Sequence, residues 1–209
     1  MTKFAPLDVE APGLLATLRR AFDAHVVTLI ANDYRVVCAA AGRVEAPVVR
    51  DDGASYNPRP ARIAAIILAE GPPYDSQAVR LALWSTVPMA HREQHYGDLP
   101  SDSKQEIQAL WSLLVELEGA EAATAENVVS KLASNTRVIE ALLAVQLDTV
   151  RHLHMTNLPV SMKQAALSTA EGILQSLCGR MPDASSSIQS LLKKLQHATS
   201  QQTRILIAL

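Results

Sequence analysis

The sequence is poor in aromatic residues, in cysteine and in long apolar runs. Aromatic residues make up 4% of the 209 residues, and the two cysteines are Cys38 and Cys178. The longest apolar runs, Val26–Ala31 and Ile63–Ala69, are far shorter than the roughly 18 to 20 residues of a membrane-spanning helix. The first 13 residues carry acidic residues and prolines where a signal peptide has a basic start and an apolar stretch. We therefore predict a cytoplasmic protein with no membrane partner, whose cysteines are buried free thiols.

Charges of the two signs are nearly balanced. The chain has 19 Lys and Arg against 21 Asp and Glu, for a formal net charge of -2 at pH 7. No run of like charges creates a basic stretch in the sequence, so there is little attraction to nucleic acid or to an anionic membrane. We expect the partner to be a protein or a small-molecule ligand, and we expect no nucleic acid.

Apolar residues recur at helical intervals along most of the chain. At the N-terminus Leu14, Leu15, Leu18, Phe22, Val26 and Leu29 are one, three or four residues apart. No convincing strand alternation is present, so the sequence predicts an all-α, multi-helix bundle in one domain. Predicted helices cover about 12–31, 32–42 (capped by Asn32 or Asp33), 61–70, 75–85, 101–117, 125–154, 160–177 and 185–197. The apolar segment Ile205–Leu209 must be covered by this domain or by a second copy, which leaves a homo-oligomer open.

Three ordered segments resemble a known family. Residues 50–64, RDDGASYNPRPARIA, are similar to the pattern R-K-x-G-x-P-Y-x-x-H-P-x-R-V-A of the HD hydrolase domain in guanosine tetraphosphate (alarmone) synthetase/hydrolases and their small stand-alone relatives. Residues 81–89, LALWSTVPM, follow at the spacing of the family's A-L-L-H-D-x-x-E-D. Residues 142–153, LLAVQLDTVRHL, resemble K-L-A-D-R-L-x-N-x-R-x-L. The resemblance implies an HD-like domain over 1–209, with a family-like core at 43–158, extra N-terminal helices at 1–42 and C-terminal helices at 159–209.

Every metal-ligand position implied by this resemblance has changed. The first histidine of the family is Arg59, the His-Asp pair is Trp84-Ser85, and the later aspartate is Val145. The acidic pair assigned to catalysis is Pro88-Met89. Arg cannot donate a lone pair, and Trp and Val offer no ligand atom. We therefore predict no catalytic residues, no metal and no cofactor, and a former pocket in which Trp84 is buried near Val145.

Some residues on the substrate side of the family's site are retained, namely Arg50, Tyr56, Arg62 and Arg151. Together with Asp148, the nearest carboxylate candidate for pairing with Arg59, they are candidate ligand-binding residues. The sequence thus favours a catalytically inactive, HD-domain-like module for interaction or ligand sensing. Two alternatives are guanine-nucleotide binding without hydrolysis and a phosphohydrolase with a site rebuilt around His91 and His95.

Overall fold

The computed structural model describes residues 3–41, 58–118, 135–178 and 185–207. Within these ranges all regular secondary structure is helical and no strand is present, so the all-α prediction is confirmed. No helix in the same ranges has the length and apolar content needed to cross a membrane. The chain divides into two compact units, residues 1–107 and 108–209, and the single HD-like domain with the three segments given above stays a prediction.

Among the described residues, five α-helices lie entirely within the first unit. These are α1 (Leu7–Glu10), α2 (Pro12–Ala21), α3 (Ala24–Ala41), α4 (Arg59–Leu68) and α5 (Ser76–Trp84). Helix α3 packs against α1, α2, α4 and α5, and α4 packs against α5. Helix α5 is buried continuously from Ala78 to Trp84. It is therefore a central element of this unit, and its one charged residue, Arg80, is buried with it.

The predicted first helix is in fact two helices. Helix α2 ends at Ala21, and Asp23 begins α3 by accepting hydrogen bonds at Oδ1 from the backbone N–H groups of His25 (2.9 Å) and Val26 (3.0 Å). The apolar spacing continues through this break, which is why the sequence pattern did not reveal it. Asn32 and Asp33, predicted as a cap, lie in the interior of α3. The prediction of a helix start there was wrong, because Asp23 satisfies the free amides of the first turn instead.

The turn between α4 and α5 has the structure that its glycine, prolines and capping residue predict. Gly71 has a φ of 84°, a conformation that favours glycine, and it stands directly before two prolines. Asp75 then caps α5 by accepting at Oδ1 from the N–H groups of Gln77 (2.8 Å) and Ala78 (3.4 Å). The predicted helix, break and helix over residues 61–85 is therefore confirmed, with bounds displaced by one or two residues.

Helix α6 (Lys104–Leu117) contains the boundary between the units, and α7 (Thr136–His152), α8 (Val160–Cys178) and α9 (Ser186–Ile207) belong to the second. Helix α9 packs along α7 and α8 and against the 3₁₀ turn Leu153–Met155. It continues ten residues beyond its predicted end at His197. Ile207 in its last turn is 80% exposed, so whether a second copy covers this segment stays a prediction.

The two cysteines differ in their surroundings. Cys38 in α3 is partly buried, whereas Cys178 at the end of α8 is exposed. The prediction of a buried thiol was therefore wrong for Cys178, because the α8 face that holds it is turned to solvent. The pKa of Cys38 is raised to about 12. Burial is the main cause, and the nearby Glu10 charge adds to it, whereas a hydrogen bond with Tyr34 acts in the opposite direction.

Candidate functional site

Arg59 is the first residue of α4, with Pro58 as the preceding residue and Pro60 in the first turn. The prolines fix φ at a value that suits a helix start, which explains why the helix begins here. Arg59 and Arg62 are both partly exposed. A guanidinium beside the positive end of a helix dipole repels a metal cation. The other two retained residues of this segment, Arg50 and Tyr56, lie outside the described residues.

The end of α5 carries Trp84 and Ser85, the two residues that the predicted resemblance aligns with a His-Asp pair. Trp84 is 0% exposed, so its ring fills the interior. Ser85 is also buried, and its hydroxyl donates a hydrogen bond of 2.6 Å to the carbonyl of Ala82. Thr86 does the same to Leu83 over 2.6 Å. Both hydroxyls therefore bind carbonyl groups in the last turn of α5. The prediction that Trp84 is buried is confirmed.

Pro88 and Met89 follow Trp84 at the start of a 3₁₀ turn, Met89–His91. Pro88 is partly buried and Met89 is 47% exposed. Neither side chain carries an ionisable group, so neither can act as a general acid or base. The idea that they close the mouth of a former pocket stays a prediction.

An ion-pair network surrounds the buried Arg80 in the first unit. Its Nε donates to Asp33 Oδ2 at 2.6 Å, and its Nη1 donates to Asp102 Oδ2 at 2.8 Å. Gln77 Nε2 donates to the same Asp102 oxygen at 2.9 Å, and Ser103 donates to both Gln77 and Asp102. The network therefore joins α3, α5 and the turn before α6. Sequence reasoning missed it, and an Arg within an otherwise apolar helix is the signal that could have indicated it.

The two carboxylates of this network have pKa shifts of opposite sign. Burial raises the pKa of Asp33; the hydrogen bond and charge of Arg80 and the nearby Trp84 indole N–H lower it, but burial dominates. Burial also raises the pKa of Asp102. Hydrogen bonding from Gln77 and the charge of Arg80 outweigh this effect, so the pKa of Asp102 lies below 3.8. The difference follows from exposure, because the Asp102 side chain is 51% exposed and that of Asp33 only 10%.

The remaining residues of the predicted site lie on α7 in the second unit. Val145 is buried, and Asp148 is buried with its carboxylate 3.3 Å from Nδ1 of His152. Arg151 in the last turn of α7 is exposed. Trp84 and Arg59 belong to the first unit, so their predicted approach to Val145 and Asp148 stays a prediction.

The histidines considered for a rebuilt site lie in two short 3₁₀ turns, Met89–His91 and Glu93–His95. His95 Nδ1 is 2.9 Å from Asp98 Oδ2, in a pair that is largely open to solvent on the aspartate side. Across the parts of the chain that the structure describes, no group of three or more His, Cys, Asp or Glu side chains could hold a metal ion.

Comparison with known proteins identifies no relative: no family model matches the chain, and neither the curated proteins nor the solved structures contain a match.

Proposed function

We propose that this chain is a catalytically inactive, HD-domain-like protein that acts by binding a partner or ligand. The observation that supports this most directly is the burial of Trp84. It stands where the family has a metal-binding histidine, and its side chain is completely buried. An indole has no lone pair to offer a cation, and the buried ring is closed off from solvent.

Two further observations support the proposal. The Ser85 hydroxyl already donates to Ala82, and a neutral hydroxyl is a weak ligand for a divalent cation compared with a carboxylate. Arg59 brings a fixed positive charge to the first turn of α4. Activation of water at neutral pH needs a cation held by deprotonated donors, and these three residues supply none.

The experiment measures metal content and hydrolysis on the full chain. We expect elemental analysis to find far less than one Mn, Zn or Fe per chain. We expect no pyrophosphate release from guanosine tetraphosphate with added Mn²⁺, beside an active member of the HD hydrolase family as a positive control. About one tightly bound metal per chain, or turnover above a metal-free sample, would contradict the proposal.

Binding is tested separately by thermal denaturation. A ligand that binds only the folded state raises the unfolding midpoint. A panel of nucleotides with and without Mn²⁺ separates the alternatives: a metal-independent rise with guanine nucleotides supports nucleotide sensing, and a rise that requires Mn²⁺ supports a rebuilt enzyme site. If no nucleotide raises the midpoint, the result favours a protein partner or a ligand of another class.

A further inference from the structure

A surface pocket of about 390 Å³ lies between the end of α7 and the middle of α9. Its lining residues within the described part of the chain are Arg151, Lys193, Lys194, His197, Ala198 and Gln201. Three of these always carry a positive charge near neutral pH, a fourth is a histidine, and none is acidic. A pocket of this size falls in the roughly 300 to 1,000 Å³ range of small-molecule sites.

The charge around this pocket differs from that of the whole chain. Helix α9 contains Lys193, Lys194 and Arg204 and no Asp or Glu over its 22 residues. The unit as a whole is balanced, because residues 108–209 contain eight Lys or Arg and eight Asp or Glu. The two acids of α7 already have contacts, since Glu140 accepts from Ser187 and Asp148 lies beside His152. The positive charge is therefore concentrated on α9 and the end of α7 and is not a property of the whole unit.

The position of Lys193 within α9 is not explained by the helix dipole or by neighbouring acids. The dipole acts mainly within the first and last turn of a helix, and Lys193 is the eighth residue of α9. Acids three or four residues away would normally offset an exposed lysine. The positions flanking Lys193 at those distances are Gln189, Ser190, Gln196 and His197. Among the described residues neither Arg151 nor Lys193 forms an ion pair.

The two walls of the pocket are held in place by polar contacts between α7 and α9. Ser187 Oγ donates to Glu140 Oε1 at 2.5 Å. At the other end, the buried Gln202 donates from Nε2 to the carbonyl of Arg151 at 3.4 Å and lies 2.9 Å from Nδ1 of His154. The backbone at Arg151 is thus fixed relative to α9. A site whose walls are already positioned loses less entropy when it binds a ligand.

We infer that this pocket binds a small phosphate-bearing molecule. Arg151 supplies a planar guanidinium that matches two phosphate oxygens, and Lys193 supplies a second positive charge. His197 and Gln201 add hydrogen-bond donors from the next two turns of α9. The basic surface is confined to a few turns, so a small ligand fits it better than a nucleic acid, which needs an extended basic surface.

The pocket is distinct from the metal-ligand positions that the resemblance implies, although it includes Arg151, one of the substrate-side residues of that resemblance. Val145 and Arg151 are six residues apart on α7, which puts them about 120° apart around the helix axis at 3.6 residues per turn. Val145 is buried and Arg151 is exposed. The inference rests on the proposed function in one respect only, namely that the ligand is bound and not hydrolysed.

The test is calorimetric titration of the full chain with inorganic pyrophosphate at constant ionic strength. We expect saturable binding of one pyrophosphate per chain. The double variant Arg151→Gln/Lys193→Gln should weaken it at least ten-fold, because two charge-assisted contacts are lost. The matched control is Arg204→Gln, which removes one positive charge from the same helix outside the pocket and should change affinity less than two-fold. Parallel titrations with inorganic phosphate and ribose 5-phosphate distinguish a free anion from a phosphate ester as the ligand.

Three outcomes would overturn the inference: no saturable binding to the wild-type chain at millimolar pyrophosphate, unchanged affinity in the double variant, or an equal loss in Arg204→Gln. Circular dichroism of each variant verifies that all are folded. Assay of the same mixtures for released phosphate separates the two proposals. Binding with hydrolysis would contradict the inactive module and leave the anion site standing, whereas absence of binding would remove the site and leave the inactive module unaffected.

Discussion

Arg80 and Asp33, which are 47 residues apart in the chain, form a buried ion pair with 2.6 Å between Nε and Oδ2. The pair joins α5 to α3 in the interior of the first unit. Arginine suits this position because its fork of donors also reaches Asp102, which the single ammonium of a lysine could not do with the same geometry.

Arg80→Met should destabilise the protein by about 3 to 5 kcal/mol, because it leaves the Asp33 carboxylate buried without its partner. Urea denaturation followed by far-UV circular dichroism gives the free energy of unfolding. Asp98→Asn is the matched control, since it breaks the open pair with His95 and should cost no more than about 1 kcal/mol. Similar small losses in both variants would show that the buried pair contributes little.

Trp84→Ala should cost about 3 to 5 kcal/mol, because removal of a ring that is 0% exposed leaves a cavity. Met89→Ala, at a side chain that is 47% exposed, should lie within about 1 kcal/mol of the wild type. Denaturant unfolding measures both. A loss below about 1 kcal/mol for Trp84→Ala would contradict the view that the indole fills the interior, and with it the main support for the proposed function.

The stabilising effect of Asp102 should depend on pH. Burial raises the pKa of Asp102. The hydrogen bond from Gln77 and the charge of Arg80 lower the pKa by more than burial raises it, so the folded-state pKa is below 3.8. Its charge therefore stabilises the fold above the unfolded-state pKa, and this stability is lost as pH falls through the folded-state pKa. The difference in unfolding free energy between wild type and Asp102→Asn should be largest near pH 6 to 7 and shrink below about pH 4. A difference that is constant from pH 7 to pH 3 would rule out this charge effect.

The two cysteines should react at very different rates with a thiol reagent at pH 8. The reactive species is the thiolate, and the pKa of Cys38 is raised to about 12 chiefly by burial. We expect one fast thiol, Cys178, and a second that is at least about 100-fold slower in the native state. Cys178→Ser should remove the fast phase, and denaturant should make Cys38 reactive. A fast phase that survives in Cys178→Ser would mean that Cys38 is accessible as a thiolate.

Local sequence determined what could be predicted of the fold. The cap at Asp75 and the break at Gly71 depend on residues within a few positions of one another, and both were confirmed. The break before α3 was missed because the apolar spacing passes through Phe22 without interruption. The length of α9 was underestimated because two of the three buried positions from residue 197 to 207, Thr199 and Gln202, are polar and hide the helical period.

The candidate site was harder to predict, because its contacts join distant parts of the chain. The burial of Trp84 was predicted from its large apolar side chain and from the former pocket that the resemblance implies. The partnership of Arg80 with Asp33 and Asp102 depends on three segments meeting, which no local pattern encodes. The basic pocket is similar: Arg151 and Lys193 are separated by 42 positions, and the balanced total charge of the chain conceals their meeting.

The packing of α9 along both α7 and α8 also affects the order in which the chain can fold during synthesis. The described helices α1 to α5 are complete by residue 84, so their mutual contacts can form while later residues are still being added. The second unit is different, because α7 and α8 are synthesised with their apolar faces uncovered until α9 emerges. During that interval Val138, Leu142 and Ile173, all 0% exposed in the folded chain, lie on helices that still lack the packing supplied by α9. Apolar surface exposed in this way favours aggregation of a partly folded chain.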